Sequence, residues 1–172
     1  SIMSQIVLAD EINRTSPKTQ SALLEAMQEG QISIDGKTYE LPRPFMVLAT
    51  QNPVELVGTY PLPEAQMDRF LLCIHMGYPD EAEEVEILTR HQNSAVQPAL
   101  KPVATAQQVL LLQEAVDHVH CSDAIKQYIV RLAEATRQHP DVHLGVSPRG
   151  SIALTRMAQA AAYLSGRDYV IP

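Results

Sequence analysis

The stretch of sequence that decides the fold is IVLADEINR, at residues 6–14. Its first four residues are all apolar, which predicts a short strand in the interior of a parallel sheet. Asp10 and Glu11 follow directly, so two adjacent carboxylates stand at the end of a strand that should be buried. We therefore treat Asp10 and Glu11 as candidate functional residues.

The composition is typical of a folded globular protein. Hydrophobic residues make up 45% and charged residues 19% of the 172 residues, which argues against a disordered chain. The net charge of −7 gives no electrostatic support for a nucleic-acid partner. No apolar run approaches the length of about 20 residues that a membrane span requires. Two distant cysteines without C-x-x-C spacing favour free thiols in a reducing cytosol, so we expect a cytoplasmic protein.

Three short apolar segments predict a parallel sheet. They lie at residues 5–9, at 45–50 (FMVLAT) and at 70–75 (FLLCIH). The second segment stops at the predicted turn Gln51-Asn52-Pro53, and a short helix is expected at about 63–69. Buried strands that alternate with helical connections indicate an α/β layer with parallel strands.

A helix and a hairpin are predicted between the first two strands. Ser16 followed by Pro17 is typical of a helix start, and Gly30 is a typical helix end. Residues 31–41 alternate apolar and polar side chains around Asp35-Gly36, a strong signal for a type I′ turn. We expect a β-hairpin inserted into the α/β layer.

The second half of the chain predicts helices alone. Gly77-Tyr78-Pro79 breaks the pattern, so we place a domain boundary there: 1–79 is the α/β part and 80–172 an all-α part. Capping residues predict where the four helices of the second part begin: Asp80 with Glu83, Thr105 with Gln108, Ser122, and Ser147 with Pro148.

An acidic pair after a buried strand is what a nucleotide hydrolase needs opposite its phosphate loop. The first carboxylate orients Mg²⁺, directly or through water, and the second polarises the attacking water. A surface loop that happens to carry two acids is the other interpretation, and this motif alone does not decide between them.

The phosphate loop itself, G-x-x-x-x-G-K-[ST], is missing from the sequence. The nearest match is GQISIDGKT at residues 30–38, which has one residue too many between its glycines. It also lies in a predicted hairpin, whereas a phosphate loop connects a strand to a helix. The apolar ends of the sequence predict that it is a piece of a longer protein.

The order of these motifs resembles that of the AAA+ ATPases. IVLADEINR is similar to their Walker B strand, and the run from residue 8 to residue 70 resembles the MoxR family in particular, as does VSPRGSIAL at 146–154. The resemblance implies a partial AAA+ parallel-sheet subdomain with an inserted pre-sensor hairpin, followed by an all-α helical lid subdomain.

The resemblance also implies roles for individual residues. Asp10 and Glu11 would be the Walker B pair, with Asp10 as the Mg²⁺ ligand. Asn52 would be the sensor 1 residue, which aligns the lytic water and contacts the γ-phosphate. Arg69 would be the arginine finger for a neighbouring subunit's ATP, and Arg149 would be sensor 2. Taken singly, Asn52 is also typical of a turn, Arg69 of an ion pair with Asp68 or Glu64, and Arg149 of a solvated helix start.

Two functions follow from the resemblance as expectations. The first is part of a MoxR-type ATPase that uses ATP and Mg²⁺ to remodel partner proteins or to aid cofactor insertion. Such proteins form homo-oligomeric rings, hexamers by resemblance, often beside proteins with von Willebrand factor A domains. Without a phosphate loop, this chain alone should neither bind nor hydrolyse ATP. The alternative is a nucleotide-free interaction module that keeps the fold.

Overall fold

The computed structural model describes residues 2–52, 58–92 and 100–172. Pro53 of the predicted turn lies outside the described residues. The helices and strands, in chain order, are β1 Ile6–Ala9, α1 Pro17–Glu29, β2 Gln31–Ile34, β3 Lys37–Glu40, β4 Met46–Ala49, α2 Glu64–Met67, α3 Glu81–Gln92, α4 Ala106–Asp117, α5 Asp123–Gln138 and α6 Pro148–Leu164. A 3₁₀ turn, Ile12–Arg14, follows the acidic pair.

The parallel sheet is confirmed, with two strands. β1 and β4 pair in parallel, with Ile6 opposite Met46 and Ala9 opposite Ala49. The prediction that these strands are buried on both faces is wrong in this structure, because Ile6 and Leu8 are 61% and 65% exposed. The opposite face, which carries Val7 and Ala9, is half-buried. Two strands make a narrow sheet, and among the described residues one face of it lacks a covering layer.

The predicted third strand at 70–75 is wrong. These residues have no regular secondary structure, and α2 ends just before them at Met67. A strand forms only where its backbone N–H and C=O groups find a partner strand. No described strand pairs with this segment, and Leu71, Leu72 and Ile74 are all more than half exposed.

Helix α1 has the start and end that its sequence predicts. The Ser16 hydroxyl accepts a hydrogen bond from the Thr19 N–H, and Pro17 occupies the first turn. Gly30 ends the helix with φ 63°, a left-handed conformation that favours glycine. Leu24 of α1 packs with Ile12 and Leu62 in the first hydrophobic core, so α1 supports the loop after the acidic pair.

The predicted hairpin is also confirmed. β2 and β3 pair antiparallel, with Ile34 opposite Lys37. Asp35 and Gly36 both have positive φ angles, 50° and 76°, as a type I′ turn requires. All side chains of the two strands except that of Ile32 are exposed, so the hairpin projects from the body of the protein.

The helices after residue 105 form a second core. Val119, Ala162 and Val170 are buried in it, and Ile125 and Ala158 pack against them. Ser122 and Ser147 cap α5 and α6 as predicted, by accepting hydrogen bonds from the N–H groups three residues ahead. A short parallel bridge between His120 and Tyr169 holds the end of the chain to this core.

The described structure divides into two compact units, Ser1–Leu71 with Ala106–Pro172, and Leu72–Thr105. The domain boundary predicted after residue 79 falls inside the second unit and stays a prediction. The second unit contains α3, whose start is confirmed: Asp80 and Glu83 exchange hydrogen bonds of 3.1 and 2.8 Å as a capping box. None of the described helices is both long and apolar enough to cross a membrane.

Candidate functional site

The acidic pair lies at the common end of the two parallel strands. Asp10 and Glu11 follow β1, and Thr50 follows β4. The Thr50 hydroxyl donates a 2.6 Å hydrogen bond to Asp10 Oδ1 and accepts a 2.8 Å hydrogen bond from the Glu11 N–H. A single side chain thus holds both acidic residues in place.

The backbone at Glu11 has an uncommon conformation. Its φ and ψ angles are 48° and 53°, in the left-handed region that residues other than glycine seldom adopt. Hydrogen bonds on both sides hold it there: Thr50 N–H donates to the Ala9 carbonyl and Ile12 N–H donates to the Thr50 carbonyl, both at 3.0 Å. Strain of this kind occurs often at functional sites, where the surrounding structure maintains it.

The carboxylate of Glu11 has one ion-pair partner among the described residues. Arg14 Nη1 lies 3.2 Å from Glu11 Oε2, and the side chains of Arg14 and Glu11 are 52% and 36% exposed. Exposed pairs of this kind contribute at most about 1 kcal/mol. Glu11 can therefore exchange this partner for a water molecule at little cost.

Asn13 connects Asn52 to residues 10–14, which we call the acidic loop. Asn13 Nδ2 donates to the Asn52 carbonyl at 3.1 Å, and the Asn52 N–H donates to Asn13 Oδ1 at 3.4 Å. The Asn13 side chain is buried, so these two bonds are shielded from competing water. The structure thus brings together Asp10, Glu11 and Asn52, three of the residues predicted for the site.

A buried glutamine of α1 also holds the acidic loop through hydrogen bonds. Gln20 is 2% exposed, and its Nε2 donates to the Ile12 and Tyr60 carbonyls at 3.1 and 2.8 Å. The Tyr60 N–H in turn donates to the Asn13 carbonyl at 2.6 Å. These bonds join α1, the acidic loop and the segment after residue 58.

The other two predicted residues, Arg69 and Arg149, line one groove, which we call the arginine groove. It has a volume of about 200 Å³, and its polar lining consists of Gln28, Asp68, Arg69, Arg149 and Arg156. Arg156 is paired with Asp117 at 2.8 Å. Arg69 and Arg149 have no ion pair within the described part of the chain, so the pairing of Arg69 with Asp68 or Glu64 is not observed. Two guanidinium groups in this groove are available for an anion.

Sequence reasoning missed Thr50, Asn13 and Gln20. A signal existed for Thr50, since it ends the second apolar segment just as Asp10 follows the first. Parallel strands bring such ends together. Asn13 and Gln20 carry no such signal, because their partners are backbone groups distant in sequence.

The acidic loop fits Mg²⁺ only as part of a larger complex. Within the described ranges, no group of three or more His, Cys, Asp or Glu side chains could hold a metal ion. Protein-bound Mg²⁺ commonly takes one or two carboxylates and completes its shell with water and substrate phosphates. Asp10 suits this role because its Oδ1 is already oriented by Thr50.

Family models match both ends of the chain. Residues 1–72 match the model of the "ATPase family associated with various cellular activities (AAA)", and residues 134–172 match that of the AAA lid domain.

Individual proteins are similar over almost the whole chain. The uncharacterized protein YeaC of Bacillus subtilis is 60% identical over 99% of this chain, and Chaperone MoxR1 of Mycobacterium tuberculosis is 44% identical over 99%. The crystal structure of a protein from Cytophaga hutchinsonii, assigned as an ATPase, superimposes with a TM-score of 0.89 at 43% identity, over 99% of this chain.

The chain spans about half the length of these relatives. It covers 53% of YeaC, 47% of MoxR1 and 55% of the Cytophaga protein.

Proposed function

Because this chain belongs to the MoxR family of AAA+ ATPases, we propose that it supplies the water-activating loop and the lid of an ATP-hydrolysing protein. One observation carries the proposal. Thr50 holds Asp10 and Glu11 at the shared end of two parallel strands, and Asn13 connects Asn52 to the same loop. Hydrogen bonds that orient both acidic residues favour a functional site over a surface loop that happens to carry two acids.

In the proposed mechanism, each residue acts on a different part of the reaction. Glu11 accepts the proton of the attacking water, and Asn52, which both donates and accepts, orients that water. Asp10 would hold Mg²⁺, which neutralises phosphate charge when bound. Arg69 and Arg149 neutralise the charge that develops on the transferred phosphoryl group.

The phosphates themselves need a loop of backbone N–H groups and a lysine. The sequence contains no G-x-x-x-x-G-K-[ST] motif, so we do not expect this chain alone to bind or hydrolyse ATP. The proposal therefore concerns the complete protein, in which a further segment supplies the phosphate loop.

We extend the proposal to assembly and partners. Arg69 lies in the arginine groove without an ion pair among the described residues, as an arginine offered to a neighbouring subunit's ATP would. A homo-oligomeric ring, a hexamer by family resemblance, would bring Arg69 to the ATP of the neighbouring subunit. One relative is named a chaperone, which supports a role in remodelling partner proteins. The family resemblance adds cofactor insertion, a cytoplasmic location and von Willebrand factor A domain proteins as candidate partners.

The test is Glu11→Gln in the complete protein. The amide keeps the shape of the side chain but cannot accept a proton from water, so hydrolysis should fall by about 10²-fold or more while ATP binding persists. Glu25→Gln, the same change at an exposed position of α1, is the control and should leave turnover unchanged.

Turnover by Glu11→Gln within a few-fold of the parent would show that Glu11 is not the general base. A complete protein that binds no ATP would instead favour a nucleotide-free interaction module.

A further inference from the structure

A bifurcated hydrogen bond connects the segment that carries Arg69 with the helix that carries Arg149. The Ser147 hydroxyl lies 2.7 and 2.8 Å from the two carboxylate oxygens of Asp68 and shares its single proton between them. The same oxygen accepts a 3.1 Å hydrogen bond from the Gly150 N–H, as the N-cap of α6. A continuous path therefore runs from the first turn of α6 through Ser147 to Asp68.

Each end of this path lies within two residues of one of the two arginines. Asp68 directly precedes Arg69 at the end of α2, and Arg149 follows Ser147 by two residues, in the first turn of α6. The contact between Ser147 and Asp68 joins segment 1–71 to segment 106–172. It therefore helps to set the relative position of the two arginines.

Asp68 contacts a serine hydroxyl although three arginines line the same groove. Arg69, Arg149 and Arg156 line the same groove as this carboxylate, and an arginine would be the stronger partner for an isolated carboxylate. Asp68 instead directs both oxygens to a serine hydroxyl at the N-terminus of a helix, where a negative charge is favoured. This arrangement leaves Arg69 and Arg149 available for another anion.

We propose that Asp68 and Ser147 are positioning residues for hydrolysis, and we call their contact the Asp68–Ser147 link. The link sets the distance between the chain at Arg69 and the start of α6, and so the placement of both guanidinium groups around the phosphates. This inference rests on the proposed function, and it goes further by assigning a role to two residues that contact no substrate.

Removal of the link should impair turnover more than binding. In the complete protein, Asp68→Ala and Ser147→Ala should each lower kcat about 10-fold to 100-fold, because small displacements of charged groups are costly in the transition state. The KM for ATP should change by less than about threefold. Asp68→Asn keeps one acceptor oxygen, so its kcat should lie between those of Asp68→Ala and the parent. Ser147→Thr keeps both the cap and the hydroxyl and should retain the parent kcat.

Two comparisons separate the link from a simple loss of helix capping. Ser122→Ala removes an N-cap of the same kind from α5, where the serine donates to no carboxylate among the described residues, and should leave kcat unchanged. The double variant Asp68→Ala with Ser147→Ala should be no worse than the poorer single variant, since both remove one contact. Additive losses, or an equal loss in Ser122→Ala, would overturn the inference.

A second readout does not depend on hydrolysis. Asp68→Ala should speed hydrogen exchange at the Gly150 amide, because the serine that accepts from it loses its anchor, while amides at the start of α5 stay unchanged. Unchanged exchange at Gly150 would show that the link does not exist in solution. If the link passes this test but Glu11→Gln leaves turnover intact, the proposed function fails, and with it the positioning role.

Discussion

Thr50 is the residue on which the geometry of the acidic loop depends. Its hydroxyl donates to Asp10 Oδ1 and accepts from the Glu11 N–H, at 2.6 and 2.8 Å. The first bond leaves the other oxygen of Asp10 for a cation or its water, and the second stabilises the strained backbone of Glu11. A hydroxyl is suited to this task because one atom both donates and accepts.

Thr50→Val removes this hydroxyl and keeps the shape of the side chain. In the complete protein, we expect kcat for ATP hydrolysis to fall at least about 10-fold, because Asp10 and Glu11 lose the group that orients them. Steady-state kinetics with ATP and Mg²⁺ measure the effect.

Thr50→Ser is the matched control, since it keeps the hydroxyl and loses only a methyl group. It should retain most of the parent activity. If valine and serine variants behaved alike, the hydroxyl would not be needed and the acidic pair would be held by the backbone alone.

The residues that sequence reasoning identified share one property. Asp10 and Glu11 stand directly after one apolar segment and Asn52 lies two residues beyond another, so their place at the end of a strand follows from local pattern. Asn52, Arg69 and Arg149 were assigned to the site only by family resemblance, and the groove shared by the two arginines depends on contacts across the fold. Gln20, which holds the loop after Asp10 and Glu11, bonds to the Tyr60 carbonyl far away in sequence and leaves no local pattern.

At the scale of elements, α1 and the acidic loop form one structural unit. Leu24 packs on Ile12 in the core, and Gln20 donates to the Ile12 and Tyr60 carbonyls. The apolar contact keeps both side chains away from water, whereas the amide donates to the Tyr60 carbonyl and adds to the Thr15 donors at the Ile12 carbonyl.

Gln20→Leu should therefore destabilise the protein although leucine is more hydrophobic. The Tyr60 carbonyl loses its Gln20 donor, while the Ile12 carbonyl keeps the two donors of Thr15. An acceptor left unsatisfied away from water costs about 1–3 kcal/mol. Urea unfolding followed by circular dichroism would measure the loss of unfolding free energy.

Gln28→Leu makes the same substitution at an exposed position of α1. It should change the unfolding free energy by less than about 0.5 kcal/mol. Equal effects of the two changes would mean that Gln20 acts through helix propensity and not through its hydrogen bonds.

Helices were easier to predict from this sequence than strands, for a physical reason. The starts of α1, α3, α5 and α6 are encoded by capping residues within three or four positions, and the hairpin by its two turn residues. A strand depends on a partner that is distant in sequence. The apolar segment 70–75 has the composition of a strand, but no described strand pairs with it. The burial of β1 likewise depends on partners distant in sequence, and among the described residues one of its faces lacks a covering layer.

At the scale of the whole molecule, the predicted site residues fall into two groups. Asp10, Glu11 and Asn52 belong to the acidic loop, and Arg69 and Arg149 share the arginine groove. Residues that line one groove of about 200 Å³ can reach the same phosphate group. We therefore expect Arg69 and Arg149 to serve the same ATP.

In the proposed ring, a shared ATP for both arginines predicts which mixtures of defective subunits recover turnover. If both arginines act on the neighbour's nucleotide, mixing either Arg69→Ala or Arg149→Ala with Glu11→Gln creates intact sites. Random mixing of equal amounts would place an intact Glu11 beside an intact arginine at about one interface in four, because ring interfaces are heterologous. ATP turnover should recover in both mixtures, although each variant alone is nearly inactive.

The mixture of Arg69→Ala with Arg149→Ala decides the matter. When both arginines come from the same neighbour, every site in such a ring lacks one of them, so turnover should not recover. If Arg149 instead acts within its own subunit, a site in an Arg69→Ala subunit would keep its own Arg149 and receive Arg69 from its neighbour, and turnover would return. Mixed rings must be shown to form, for example by co-purification through a tag on one variant. Recovery in this third mixture, with none for Arg149→Ala plus Glu11→Gln, would show that the two arginines serve different nucleotides.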